Sequence, residues 1–181
     1  MRIVVSGTHA SGKSTLVADV VAACPGYDAL EDPYELLDED MTQPDAGAFV
    51  AQLKASATRL LGLSAAADVV AERGPLDFLA YLDALERLGR PTAPDDVYER
   101  CLDLTFAAMS HVDLLVVLPL ESGSPSVGED EDPALRAAMD AALLDLVSEA
   151  ELTAGAEVVE LAGSAAARRD RLIDTIRASD R

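Results

Sequence analysis

The chain has 181 residues, half of them hydrophobic, which suits a single domain, 1–181, with a sizeable core. Its 33 acidic and 14 basic residues give a formal net charge of -19, and such a surface repels nucleic-acid phosphates and anionic lipid headgroups, so neither nucleic acid nor a membrane is expected as a partner. Cys24 and Cys101 lie far apart and make no disulfide framework. With a strand-like segment at the start and no apolar run of membrane-spanning length, the sequence predicts a cytoplasmic protein.

Short apolar runs alternate along the chain with longer helical patterns. Strands are predicted at 2–6, 27–30, 69–72, 114–119 and 157–161. Helices are predicted at 13–24, 46–64, 75–88, 94–110, 133–153 and 165–179. In the first, third and fourth strands the apolar residues are consecutive, which is typical of parallel strands covered on both faces. The alternation predicts a three-layer α/β fold with a five-stranded parallel sheet and right-handed crossovers.

A glycine-rich stretch after the first strand, GTHASGKS, fits the phosphate-loop pattern GxxxxGK[ST] and opens a predicted helix, so the fold class is that of a P-loop NTPase. Gly7 permits a sharp exit from the strand, and Gly12 lets backbone N–H groups approach phosphates at a helix N-terminus. Lys13 is expected to reach the β- and γ-phosphates, and the Ser14 hydroxyl to bind Mg²⁺. ATP and Mg²⁺ are the expected cofactors. The predicted nucleotide-binding residues are Gly7, Thr8, His9, Ala10, Ser11, Gly12, Lys13, Ser14 and Thr15.

The third predicted strand ends in Glu72-Arg73, followed by Gly74. This ending resembles the [DE]-R-[SG] motif of the deoxyribonucleoside and thymidylate kinase group, and the longer string ERGPLDFLAYL is more similar to P-loop proteins of the nicotinamide-riboside kinase type. At the carboxyl end of a strand, Glu72 could hold a Mg²⁺-bound water or accept a proton from a substrate hydroxyl. Arg73 could neutralise charge on phosphoryl oxygens. Alternatively, the two residues form a structural ion pair that caps the next helix.

A second acidic cluster, 31–35, follows the second strand. In the deoxyribonucleoside kinases a Glu-Pro at this place holds the substrate's 5′-hydroxyl and acts as the base. This chain departs from that pattern, since it has Asp32-Pro33 preceded by Glu31. Either Glu31 or Asp32 could take the role, which requires hydrogen-bond reach of the attacking hydroxyl, or the cluster could be a solvated acidic loop.

The segment after the fourth strand is rich in Gly, Ser, Pro and acids and predicts a mobile surface loop. The resemblance implies a short lid here, at about 121–136, whose arginines close over the phosphates. Arg136 is the only cation between Glu121 and Ala167, and this makes it the candidate lid arginine. An arginine one turn into an acidic helix is equally well explained as a surface ion-pair partner.

Two adjacent arginines, Arg168 and Arg169, stand in the first turns of the last predicted helix. The resemblance implies that the loop before them packs beside the adenine, with an arginine near the base. Cations are unfavourable at a helix N-terminus, so a ligand-facing role is expected for one of the two. The substrate pocket is expected to use aromatic side chains and to bind ribose hydroxyls through Asp77 and Asp83, with Phe78 better explained as core. The aromatic candidates are Tyr34, Phe49, Phe78 and Tyr81.

These features predict an ATP-dependent kinase that transfers the γ-phosphoryl group to a hydroxyl of a small nucleoside-like metabolite. One alternative is a nucleotide-binding ATPase or switch without an acceptor. Another is a nucleoside-monophosphate kinase, a reaction of two anionic substrates that needs more cations than this chain supplies near its lid. Dimers are common in the kinases that this chain resembles, so the resemblance allows a homodimer. His9 and His111 fit no Ser-His-Asp or zinc pattern.

Overall fold

The computed structural model describes residues 1–36, 45–121 and 132–179, so most of the predicted lid, 122–131, lies outside the described residues. The strands are β1 Arg2–Ser6, β2 Asp28–Leu30, β3 Val69–Glu72, β4 Leu114–Val117 and β5 Glu157–Glu160. They form one parallel sheet in the order β2-β3-β1-β4-β5. The predicted five-stranded parallel sheet is confirmed, with small differences at the strand ends.

The helices are α1 Lys13–Ala23, α2 Ala46–Leu61, α3 Pro75–Arg87, α4 Asp95–Met109, α5 Pro133–Ser148, α6 Ala150–Thr153 and α7 Ala165–Ser179. A 3-10 helix, Pro33–Leu36, follows β2. The prediction of one continuous helix over 133–153 is wrong. Glu149 has a ψ of 104°, which is extended rather than helical, and it separates α5 from α6.

Aspartate side chains fix the starts of two helices that border the site. Asp45 accepts a 2.9 Å hydrogen bond from the backbone N of Ala48 and so caps α2. Asp132 caps α5 by accepting from the backbone N of Ala134 and of Leu135, each at 3.0 Å. This cap places Arg136 in the first turn of α5.

Alternate residues of the central strands pack on opposite faces of the sheet. Ile3 and Val5 join the core that α1 and α7 cover, whereas Val4 joins the larger core under α2 to α6. The result is the three-layer arrangement that the sequence predicts. The edge strands β2 and β5 are mostly exposed, unlike β1, β3 and β4. No helix among the described residues is both long enough and apolar enough to cross a membrane.

The carboxyl ends of β1, β3 and β4 meet at one edge of the sheet. The backbone N of Arg73 donates to the carbonyl of Val5 at 3.0 Å, and that of Leu118 donates to the carbonyl of Ser6 at 2.9 Å. The glycine-rich loop that leaves β1 and the Glu72-Arg73 pair that leaves β3 are therefore neighbours, in the place where open parallel sheets bind ligands.

Candidate active site

The glycine-rich loop connects β1 to α1 and depends on its two motif glycines. Gly7 has a φ of 153°, and a Cβ there would lie 2.8 Å from the carbonyl O of Leu118 and 2.8 Å from Oγ of Ser11. Gly12 has a φ of 94° and is the N-cap of α1. Side chains are strained in that left-handed region, so the chain needs glycine at this point to turn into the helix.

Lys13, the first residue of α1, points back into the loop. Its side chain is buried, and Nζ donates a 2.8 Å hydrogen bond to the carbonyl of Thr8. Burial, and after it the positive charge of Arg73, lower the pKa of Lys13 to about 7, although nearby carboxylates including Glu72 act in the opposite direction. An anion beside Nζ would favour the protonated form.

Ser14 and Glu72 form a pair of oxygen groups beside the loop. The Ser14 hydroxyl donates a 2.8 Å hydrogen bond to Oε1 of Glu72. Ser14 is exposed, Glu72 is half-buried, and both line the same cleft. A hydroxyl and a carboxylate are hard oxygen ligands of the kind that Mg²⁺ prefers. The two residues predicted to bind the metal are thus adjacent, although they come from different elements.

Arg73 is buried between the loop and the acidic cluster after β2. Its Nε donates to Oδ2 of Asp32 at 2.7 Å, and its Nη1 donates to the carbonyl of Gly7 at 3.3 Å. The guanidinium lies 5.7 Å from the ring centroid of Tyr81. Glu31, in contrast, is exposed at the cleft wall, and its carbonyl accepts from Nη1 of Arg59. The two carboxylates that the sequence left as alternatives therefore have different surroundings.

Arg136 reaches the phosphate loop from α5. Its Nε donates to the carbonyl of His9 at 3.0 Å, and its Nη2 donates to the carbonyl of Ala10 at 3.4 Å. The predicted lid arginine therefore contacts the backbone of the phosphate loop.

The two arginines at the start of α7 separate. Nη1 of Arg168 donates to the carbonyl of Ser11 at 2.8 Å, and its Nη2 pairs with Oε1 of Glu121 at 2.6 Å. The same Glu121 oxygen accepts from the backbone N of Gly163 at 2.7 Å. Arg169 pairs instead with Asp170 at the surface. Successive helix residues point about 100° apart, so the two side chains leave α7 in different directions. Of the two, Arg168 contacts the phosphate loop. The prediction of Arg169 as a nucleotide-binding residue is not supported.

A cleft of about 1010 Å³ opens between the phosphate loop and helices α2, α3 and α5. Four carboxylate-bearing residues line it. Glu31, Asp32 and Glu72 come from the carboxyl ends of the neighbouring strands β2 and β3, whereas Asp132 stands at the start of α5. Its aromatic wall contains Phe49 and Tyr81, whose rings stack with centroids 4.5 Å apart and planes 10° apart.

One further aromatic residue and one amide residue line the same cleft. Tyr34 also lines it and is 47% exposed. Gln52 lines the cleft as well and is buried, and it is not among the residues predicted from the sequence. Its signal was present, because it stands three residues after Phe49, on the same face of α2.

Two aspartates expected to bind ribose do not line the cleft that the described residues form. Asp77 is fully buried and accepts hydrogen bonds from Ser6, Gly7 and Gly74, so that hypothesis is wrong for Asp77. Asp83 accepts a 2.6 Å hydrogen bond from the hydroxyl of Tyr98, away from the cleft. Phe78 lies in the core, as the sequence favours.

Comparison with known proteins identifies the fold and the family. Thymidylate kinase from Candida albicans matches with a TM-score of 0.69 and 13% identity, over 98% of this chain and 91% of that chain. Deoxyadenosine kinase from M. mycoides, with dCMP and dCDP bound, matches with a TM-score of 0.70 and 13% identity, over 99% of this chain and 100% of that chain. A NadR protein in complex with NR has a TM-score of 0.66 and 17% identity, over 97% of this chain and 50% of that chain.

At these identities the likeness shows a shared fold, that of the P-loop kinases. No curated protein sequence matches the chain. A family model described as an AAA domain, AAA_28, matches residues 2–168. The chain therefore belongs to this AAA domain family of P-loop proteins.

Proposed function

We propose that the protein is an ATP-dependent kinase that transfers the γ-phosphoryl group of ATP to a hydroxyl of a small nucleoside-like metabolite. One observation carries this proposal: a phosphate loop, a Ser14–Glu72 pair and a wall of carboxylates and aromatic rings all face one cleft of about 1010 Å³. Its volume is at the upper end of the range found for small-molecule sites. A cleft of this kind can bring a nucleotide and an acceptor together.

The loop residues fit the polyphosphate of ATP. The hydroxyls of Thr8 and Ser11 are buried and, within the described part of the chain, have no hydrogen-bond partner. Buried donors without partners are costly unless a ligand satisfies them. Lys13, Arg136 and Arg168 supply positive charge around the same loop. We assign these groups to nucleotide binding, with Arg168 on the side where the resemblance implies the adenine.

Ser14 and Glu72 fit Mg²⁺, the ion that P-loop kinases commonly use with ATP. When bound, the metal would neutralise charge on the phosphate oxygens. The chain's own contribution is to hold a hydroxyl and a carboxylate 2.8 Å apart at the mouth of the loop. This proximity comes from the parallel pairing of β1 with β3, which sets Val5 beside Glu72.

The aromatic end of the cleft fits a nucleobase-like ring. Phe49 and Tyr81 offer an aromatic wall, and the amide of Gln52 can both donate to and accept from the polar edge of such a ring. Two of the structural relatives carry ligands of this class, dCMP in deoxyadenosine kinase and NR in NadR. These likenesses support a nucleoside-like acceptor for this chain.

The acceptor's reacting end meets carboxylates rather than available cations. Two arginines contact this wall and are already held there, Arg73 by Asp32 and the Gly7 carbonyl, and Arg59 by the Glu31 carbonyl. A neutral hydroxyl suits such a wall better than a second phosphate, which favours nucleoside over nucleoside monophosphate. Asp32 is our choice for the carboxylate that binds this hydroxyl and accepts its proton, because Arg73 fixes its orientation. Glu31 is the alternative.

The decisive experiment measures ATP consumption by the purified protein with a panel of nucleosides, deoxynucleosides, nicotinamide riboside and nucleoside monophosphates. We expect turnover that depends strictly on one class of acceptor and is lost in Lys13→Ala. The matched control is Lys54→Ala, since Lys54 is the other lysine of the chain and is exposed on α2. Equal ATP hydrolysis with and without every acceptor would contradict the kinase proposal and favour an ATPase or switch.

A further inference from the structure

Asp77 forms a buried hydrogen-bonding centre behind the phosphate loop. Its Oδ1 accepts a 2.9 Å hydrogen bond from the backbone N of Gly7, and its Oδ2 accepts one of 2.6 Å from Oγ of Ser6 and one of 2.9 Å from the backbone N of Gly74. The Asp77 side chain is fully buried. Ser6 and Gly7 lead into the loop, whereas Gly74 precedes α3. One carboxylate thus connects the start of the loop to the start of a core helix.

Helix capping accounts for only one of these three hydrogen bonds. Gly74 is the N-cap of α3, and its N–H is one of the donors that a helix start leaves without an intrahelical partner. A buried carboxylate costs free energy unless it is paired and fully hydrogen-bonded. Here the partner charge is Arg73, whose Nη1 lies 3.9 Å from Oδ1 of Asp77. The two hydrogen bonds that capping does not explain come from Ser6 and Gly7, in the chain that enters the loop. Two of the three hydrogen bonds that the Asp77 carboxylate accepts therefore hold Ser6 and Gly7.

The first residue of the phosphate loop is held from both sides as a result. Asp77 binds the N–H of Gly7, and Arg73 binds its carbonyl. Leu118 closes off the third side, since a Cβ on Gly7 would lie 2.8 Å from the Leu118 carbonyl. The orientation of this residue sets the direction of the amide groups that follow it. Amides that are already oriented bind an anion without a further ordering cost.

We propose that Asp77 is a positioning residue for nucleotide binding, which holds Gly7 in the orientation that the loop needs to receive a polyphosphate. The proposal rests on the proposed function, because it takes the loop to bind MgATP. Asp77 itself does not line the cleft that the described residues form, so it acts through Ser6 and Gly7.

The test compares Asp77→Asn with Asp83→Asn in the whole chain. Both oxygens of Asp77 accept from backbone N–H groups, so asparagine must turn its NH₂ group towards one of these donors. Asp83 lies in the same helix and accepts from Tyr98, away from the cleft, so the control removes a carboxylate without touching the loop. By calorimetry, the Kd for MgATP should rise about tenfold or more in Asp77→Asn and stay unchanged in Asp83→Asn.

Amide hydrogen exchange separates positioning from a general loss of stability. In Asp77→Asn, exchange should become faster in peptides that contain Gly7 or Gly74 and stay at the wild-type rate in α4. Uniformly faster exchange along the chain overturns the proposal, and so does wild-type affinity for MgATP in folded Asp77→Asn.

A second variant serves if Asp77→Asn does not fold. Ser6→Ala removes one of the three hydrogen bonds and no charge, so it should fold and weaken MgATP binding several-fold. Wild-type binding by Ser6→Ala would then overturn the role of Asp77. A wild-type protein that binds no MgATP overturns both proposals. If it binds MgATP but phosphorylates no acceptor, the kinase proposal alone fails and the comparison of variants still decides the role of Asp77.

Discussion

The hydroxyl of Ser14, in the first turn of α1, donates a 2.8 Å hydrogen bond to Oε1 of Glu72 at the end of β3, across 58 positions of the chain. This contact joins the phosphate-loop motif to the Glu72-Arg73 motif at the end of β3. It also gives the site an oxygen pair that neither segment forms alone.

Replacing Glu72 tests this pair. Glu72→Gln keeps the side-chain shape and removes the charge, so we expect kcat to fall about 100-fold or more while the fold is retained. Glu157→Gln, at an exposed glutamate of β5, is the control and should keep wild-type kcat. Steady-state kinetics with the acceptor from the panel provide the measurement, and wild-type kcat in Glu72→Gln would rule out the assigned role.

Arg168 and Arg169 offer an adjacent pair of variants with opposite expectations. Arg168→Ala removes the contacts with Ser11 and Glu121, so the KM for MgATP should rise about tenfold. Arg169→Ala removes only a surface ion pair, which contributes little, and the KM should not change. An equal effect of the two variants on KM would contradict the placement of Arg168 at the nucleotide.

Gln52 should determine acceptor affinity rather than nucleotide affinity. Gln52→Leu keeps approximately the same volume but loses both hydrogen-bonding groups, so kcat/KM for the acceptor should fall about tenfold to 100-fold. The KM for MgATP should stay at the wild-type value. Lys54→Leu, at an exposed position of the same helix, is the control. A change in the KM for MgATP alone would place Gln52 outside the acceptor site.

Asp113 should make folding stability depend on acid pH. The hydrogen bonds from Arg2 lower the pKa of Asp113 below the ordinary aspartate value of 3.8, so the native state favours the ionised form. Its contribution to the free energy of unfolding is present above that value and is lost as the pH falls through the lower, folded-state pKa. We expect about 0.5–1 kcal/mol, since the pair is partly exposed and screened by solvent.

Thermal unfolding from roughly pH 2 to 6 measures this effect. Asp113→Asn should be less stable than the wild type near the upper end of the range and equally stable at the lower end. Asp103→Asn, an exposed aspartate of α4, should follow the wild type throughout. A constant difference between Asp113→Asn and wild type across the range would show that ionisation of Asp113 is not the cause.

Much of the fold could be predicted because its signals are local. Consecutive apolar residues identified β1, β3 and β4, and the glycine spacing from Gly7 to Gly12 identified the loop. The boundary at Glu149 was missed, since neither glycine nor proline marks the break between α5 and α6. The short 3-10 helix after β2 was missed for a similar reason, because its sequence also fits an acidic loop.

The site itself was only partly predictable. The sequence located Lys13, Glu72 and Arg136 through motifs or through charge, but it could not distinguish Arg168 from Arg169. It also misplaced Asp77, whose spacing along α3 gives no sign of a partner in β1. Whether Arg168 or Arg169 contacts the loop, and whether Asp77 faces the cleft or the core, depends on which way each side chain points after the elements have packed.

Local signals in the chain were enough to predict a glycine-rich loop between a strand and a helix and a layered parallel α/β fold, because glycine torsions and side-chain periodicity act over a few neighbouring residues. The polar groups that contact one another, in contrast, depend on how the elements pack in three dimensions. Arg168 contacts a carbonyl 157 positions away, and Asp77 holds an amide 70 positions away. Such contacts follow from the order of the strands and the packing of the helices, which no local pattern in the chain encodes.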